Sequence, residues 1–115
     1  MTGSTGVPAI DATDASRRVE HGAVLLDVRE PDEWTAGHAP AAVWIPMGQV
    51  AARQAELPEE GDIVVVCRVG SRSARVTAAL RRAGYEASNL EGGMQAWAAA
   101  GLPVVTDTGD DGVVA

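Results

Sequence analysis

The residue best suited to covalent chemistry in this chain is Cys67, its only cysteine. A thiolate attacks and a thiol does not, so position decides whether such a residue reacts or merely packs. Cys67 follows four β-branched residues, Ile63 to Val66, and precedes the polar run Arg68-Val69-Gly70-Ser71-Arg72. Val76, Ala79, Leu80 and Ala83 then recur at helical spacing, and Gly84 supplies a stop. Strand, cysteine, glycine-containing loop and helix put the sulfur at the carboxyl end of a strand, ahead of a helix N-terminus. Open α/β sheets bind ligands there, and a helix N-terminus favours anions. Lowering a thiol pKa by two units takes roughly 2.7 kcal/mol. A helix terminus typically supplies about 0.3–1 kcal/mol, and up to about 2 kcal/mol in favourable geometry. The helix alone is marginal. Loop amides converging where Gly70 lets the chain curl, with Arg72 nearby, supply the rest.

The other candidates have plainer readings. Asp32 and Glu33 sit behind Pro31, where carboxylates belong in the first turn of a helix. Asp27 ends an apolar strand near the same sheet edge as Cys67. An ion pair from Asp27 or Glu30 to Arg29 or Arg72 would brace the structure. His21 and His38 have no partner at metal-ligand spacing, so no metal site is expected. A structural hydrogen bond suits His38 better than partnership with Cys67. Gly92-Gly93 lacks the following lysine of a phosphate loop and reads as a tight turn. Trp34, Trp44 and Trp97 read as packing residues at element boundaries.

Several elements must position the thiol. Val7 to Ala12 can form an edge strand, followed by a helix capped at Thr13 or Asp14 and stopped by Gly22. Ala23 to Arg29 is apolar enough for a strand buried on both faces. A short helix follows Glu30-Pro31, then a strand over Ala42 to Ile45 and a helix over Gln49 to Leu57. After the cysteine strand and its helix come a strand over Ala87 to Leu90 and a helix over Met94 to Ala100. Alternating strands and helices imply a parallel sheet covered on both faces. We expect residues 1–6 to be a flexible N-terminus, 7–105 the folded domain and 106–115 a flexible acidic tail.

Composition narrows the partners. The chain has 115 residues, 46% hydrophobic and 22% charged, as expected of one globular domain. A net charge of −7 makes nucleic acid and anionic membranes poor partners. All nine basic residues are arginine, and Arg68, Arg72, Arg75, Arg81 and Arg82 cluster after the cysteine. Cations gathered around one thiol in an acidic chain point to a small anionic substrate. Arg81 and Arg82 are explained by the C-terminus of their helix. One cysteine allows no internal disulfide and fits a reducing compartment. No signal peptide or membrane span is visible, so a cytoplasmic location is expected.

Three stretches, in this order, resemble the single-domain rhodaneses, a thiosulfate sulfurtransferase-like family. They are LLDVREPDEWTAGHAP (Leu25 to Pro40), VVVCRVGSRS (Val64 to Ser73) and LEGGMQAWAAAGLPV (Leu90 to Val104). The resemblance covers Ile10 to Val104. It implies a three-layer α/β/α sandwich with a five-stranded parallel sheet. It implies that Cys67 is the nucleophile and becomes a persulfide. Arg68, Val69, Gly70, Ser71, Arg72 and Ser73 would form the anion-cradling loop, with Asp27 and Arg29 as framework residues. Ala39 and Ala41 stand where the family commonly has Ile and Gly, in a turn remote from the chemistry.

The resulting expectation is a sulfurtransferase. It would move sulfur from a thiosulfate-like donor to cyanide or a thiol, without metal or organic cofactor. A sulfur carrier or binding module loaded by a partner protein is the alternative. A cysteine phosphatase or arsenate reductase on a similar scaffold fits less well, because those loops place the arginine one residue further from the cysteine. Arg72 is five residues after Cys67.

Overall fold

The computed structural model describes residues 7–115. The expected flexible segment 1–6 lies outside the described residues. The elements are β1 (Ala9–Ile10), α1 (Ala12–Glu20), β2 (Val24–Asp27), α2 (Pro31–Ala36), β3 (Val43–Trp44), β4 (Asp62–Val66), α3 (Ser71–Arg82), β5 (Glu86–Leu90) and α4 (Gly93–Ala99). The five strands form one sheet in the order β1-β5-β4-β2-β3, with every pairing parallel.

The sheet is apolar on both faces because the side chains of β2 and β4 alternate. Leu26, Ile63 and Val65 cluster with Val76 and Leu80 of α3. Leu25, Val64 and Val66 cluster with Ala12 and Ala15 of α1 and with Met94 and Trp97 of α4. Each such aliphatic side chain, fully buried, contributes about 1.5–3 kcal/mol. This is the expected sandwich. From β2 the chain steps to β3 on one side, and from β4 it steps to β5 on the other. The strand order therefore reverses between β2 and β4, and ligands of open α/β sheets bind outside the carboxyl ends at that crevice. Asp27 ends β2 there, paired in register with Val66, the residue before Cys67.

Two local expectations need correction. The cap of α1 is Asp11, whose Oδ1 accepts from the Asp14 amide at 2.8 Å. The segment expected as a helix over Gln49 to Leu57 instead forms two 3₁₀ turns, Met47–Gln49 and Gln54–Glu56. Only Val50 and Leu57 of Gln49 to Leu57 are buried, too small an apolar stripe to hold a continuous helix against the sheet.

The segment 106–115 makes backbone hydrogen bonds to the rest of the domain. His38 and Val105 exchange backbone hydrogen bonds at 2.9 and 2.8 Å. The Gly112 amide donates to the Val104 carbonyl at 2.8 Å, and the Val113 amide to the Ala36 carbonyl at 3.0 Å. A Cβ on Gly37 would lie 2.6 Å from the Val113 carbonyl oxygen, so the absence of a side chain admits this approach. These bonds are made by backbone, which explains why a segment without apolar periodicity can dock.

Candidate active site

Cys67 lies immediately after β4, and its side chain is fully buried. Three residues on, Gly70 adopts a left-handed conformation (φ 108°) and starts α3. That reversal turns the chain back over the sulfur, and glycine adopts it without strain. The Gly70 amide donates to Cys67 Sγ at 3.1 Å, and Ser73 Oγ lies 3.2 Å from the same atom. Ser71, Arg72 and Ser73 thus form the first turn of α3 and are not loop residues.

Burial on its own pushes the Cys67 thiol up. Donation from the Ser73 hydroxyl, and from the amides of Ser73, Gly70 and Val69, outweighs burial and holds the thiol below its ordinary value. Of the expected loop amides, that of Gly70 lies within hydrogen-bond reach of the sulfur. The expected help from Arg72 is minor, because its charge is engaged elsewhere.

Arg72 forms a two-point bridge to Glu33, Nη1 to Oε1 at 2.7 Å and Nη2 to Oε2 at 2.8 Å. The paired guanidinium holds the Glu33 carboxyl down at about 2, against partial burial. Glu33 also accepts from the Glu30 amide at 2.9 Å in a capping box. Its place in the first turn of α2 was expected; its partnership with Arg72 was not. Arg68 Nε donates to the Ala115 carbonyl at 2.9 Å. Val69 leaves its side chain about half exposed at the rim.

The loop carbonyls are held from behind. The Met94 amide donates to the Cys67 carbonyl at 2.8 Å, and the Gln95 amide to the Arg68 carbonyl at 3.1 Å. Both amides belong to the N-terminal turn of α4, so its unpaired donors take up the loop's acceptors. A Cβ on Gly93 would collide with the Cys67 carbonyl and the Arg68 backbone. Gly92-Gly93 is thus the turn expected, with the added task of letting α4 touch the loop.

Asp27 and Arg29 form a fully buried pair, with Arg29 Nη2 2.8 Å from Asp27 Oδ2 and Nε 3.0 Å from both carboxylate oxygens. Arg29 also donates to the carbonyls of Gly37 at 2.8 Å and Glu33 at 3.3 Å. The pair braces β2 against α2, as one of the ion pairs considered from the sequence. His38 Nδ1 bonds to the Trp34 carbonyl at 2.8 Å, and its ring stacks on Trp34 with centroids 3.6 Å apart. Among the described residues no group of three or more His, Cys, Asp or Glu could hold a metal ion.

Asn89 on β5 was missed. Its Nδ2 donates to the Gly70 carbonyl at 3.1 Å, and its Oδ1 accepts from Ser73 Oγ at 2.5 Å. A polar amide facing inward in a short strand was the available signal, since buried polar groups need partners.

The Rhodanese-like domain model matches residues 11–100. The chain belongs to the rhodanese-like family. Among its relatives, a protein named Sulfurtransferase from Allochromatium vinosum is 39% identical over 106 residues, covering 90% of this chain and 99% of that one. The Putative sulfur carrier protein YrkF of Bacillus subtilis is 32% identical, covering 82% of this chain and 52% of its own length. The crystal structure of a rhodanese-related protein from Thermoplasma volcanium superimposes with a TM-score of 0.82 at 31% identity, covering 87% of this chain and 99% of that one. The rhodanese-like sheet thus carries its lone cysteine at the crevice where the strand order reverses.

Proposed function

We propose that this domain is a sulfurtransferase in which Cys67 carries the sulfur as a persulfide. The observation that carries the reading is the pair of donors on Cys67 Sγ, the Gly70 amide at 3.1 Å and the Ser73 hydroxyl at 3.2 Å. Such donors stabilise an anionic sulfur before and after transfer. With thiosulfate as donor, the Cys67 thiolate attacks the outer sulfur and forms the new S–S bond. The bond between the two donor sulfurs breaks, and its electron pair leaves on sulfite. Cyanide or a thiolate then attacks the terminal sulfur, and the electron pair of the persulfide bond returns to Cys67. Charge and atoms balance without a metal or organic cofactor.

Arg72 shapes this site indirectly in our reading, by holding α3 to α2 through Glu33. Asp27 and Arg29 act as supports. A single buried thiol suits a reducing compartment such as the cytoplasm. A phosphate reading is less favoured, because the arginine that would clamp the oxyanion already binds a carboxylate.

The second reading is a sulfur carrier loaded by a partner protein. A relative named as a putative sulfur carrier supports it, as does the full burial of the sulfur. Mass spectrometry of the intact protein distinguishes the readings. Thiosulfate should add one sulfur atom, cyanide should remove it, and Cys67→Ser should gain none. Loading only from a protein persulfide, and never from thiosulfate, would favour the carrier. Sulfur retained by Cys67→Ser would remove Cys67 from the mechanism.

A further inference from the structure

We propose that Asn89 is a positioning residue that competes with Cys67 for the single hydroxyl proton of Ser73. The proposal rests on the reading of Cys67 as the working nucleophile and deepens it. Asn89 sits on β5 beside Val65 of β4 and is 8% exposed. Its amide orientation is set by the Gly70 carbonyl, which can only accept, so Nδ2 must face Gly70 at 3.1 Å. Oδ1 must then face Ser73 Oγ, at 2.5 Å. An amide oxygen only accepts, and a thiolate only accepts. Ser73 Oγ lies within reach of both and has one proton to give.

The two ionisation states of Cys67 therefore need different hydroxyl orientations. In the thiol, S–H donates to Ser73 Oγ, and the hydroxyl points to Asn89. On ionisation the sulfur's proton leaves to solvent and the hydroxyl rotates to the sulfur, its own proton staying on its oxygen. Asn89 Oδ1 then loses its donor inside a nearly buried site. Asn89 thus favours the neutral thiol and works against the loop amides. It equally favours any state in which a second sulfur has taken the charge off Sγ, since the hydroxyl can return to Asn89. Among the described residues, the charged groups around the site are Arg72 bound to Glu33, Glu30 near Arg72, Arg68 on the Ala115 carbonyl, and the Asp27–Arg29 pair on β2. None of these bonds to the side chain of Ser73 or Asn89.

The test is the pH dependence of Cys67 alkylation by iodoacetamide in the intact chain, without sulfur donor. Four proteins are compared: wild type, Asn89→Ala, Ser73→Ala and the double variant. Asn89→Ala frees the hydroxyl for the sulfur, which lowers the thiol pKa. It also unties the Gly70 carbonyl, which raises it. Only the first effect requires Ser73. The shift on Asn89→Ala should therefore be more downward when Ser73 is present, by a roughly three- to tenfold change in the thiolate-to-thiol ratio, the worth of one ordinary hydrogen bond. Equal shifts in the two backgrounds overturn the proposal. Should Asn89→Ala lose its circular dichroism signal, Asn89→Asp preserves size and offers a stronger acceptor. Its upward shift should then be larger with Ser73 in place than in the Ser73→Ala background, and equality again overturns the proposal. Alkylation requires no sulfur transfer, so this result stands or falls apart from the sulfurtransferase reading.

Discussion

Glu33 and Arg72 stand on helices that leave different strands, β2 and β4, and their side chains meet through two hydrogen bonds of 2.7 and 2.8 Å. Side-chain exposures of 14% and 28% leave the bridge partly shielded. It closes over the crevice at which the strand order reverses, and fixes the first turn of α3. Glu33 is itself held by α2, whose Glu33 carbonyl and following Gly37 carbonyl accept from Arg29. A chain of contacts therefore runs from Asp27 through Arg29 and α2 to the helix that supplies Ser73.

The bridge sets an acid dependence. The Glu33 carboxyl is lowered from 4.5 to about 2, chiefly by its hydrogen bonds to Arg72. A depressed carboxyl contributes its stability in full above the unfolded value and loses it as pH falls through the folded one. Glu33→Gln should cost about 1 kcal/mol near neutrality, after allowance for solvent screening. That difference from wild type should vanish as pH falls from 4.5 to about 2. Urea unfolding across this range measures it. A difference independent of pH would mean that the ionised bridge is not what the substitution removes.

Gly93 should tolerate no side chain. It has φ 60°, and a Cβ there would collide with the Cys67 carbonyl and the Arg68 backbone. Gly93→Ala should destabilise the fold by at least about 2 kcal/mol, since a left-handed non-glycine residue alone costs about 1–3 kcal/mol. It should also slow alkylation of Cys67 near neutral pH, because the loop amides lose their alignment. Unfolding curves and alkylation rates check the two effects separately. Gly84→Ala is the control: its φ is also positive, but its Cβ would meet nothing within 4 Å. It should lose stability without altering the thiol.

Removal of 106–115 should lower stability. Truncation after Val105 deletes the donors that Gly112 and Val113 give to Val104 and Ala36. Each such bond contributes about 0.5–1.5 kcal/mol net, so a loss of about 1–2 kcal/mol is expected in urea unfolding. An unchanged midpoint would show that the segment adds nothing in solution.

The sheet and the thiol were legible because their signals are local. Ile63 to Val66 is an uninterrupted β-branched run, and the apolar spacing from Val76 to Leu80 specifies the buried stripe of α3. Gly70 marked the curl because only that residue type turns left-handed without strain. The partners of the loop were illegible because they are distant in sequence. Glu33 lies 39 residues before Arg72, and Asn89 lies 19 after Gly70. Periodicity assigns both to ordinary places, a first helical turn and a strand, and only tertiary geometry gives them a second use. The contacts of 106–115 with Val104 and Ala36 are of another kind, since backbone bonds leave no pattern in side-chain type.

The hold that α4 exerts on the carbonyls of Cys67 and Arg68 has a consequence for synthesis. A chain emerges from the ribosome N-terminus first, so β4 and its cysteine appear well before Gly93, Met94 and Gln95. Until those amides arrive, the carbonyls of Cys67 and Arg68 lack these donors. The nascent cysteine is therefore chemically commonplace, with an ordinary thiol's reluctance to ionise. The contacts that α4 makes with the Cys67 and Arg68 carbonyls form only when that last helix closes against the loop.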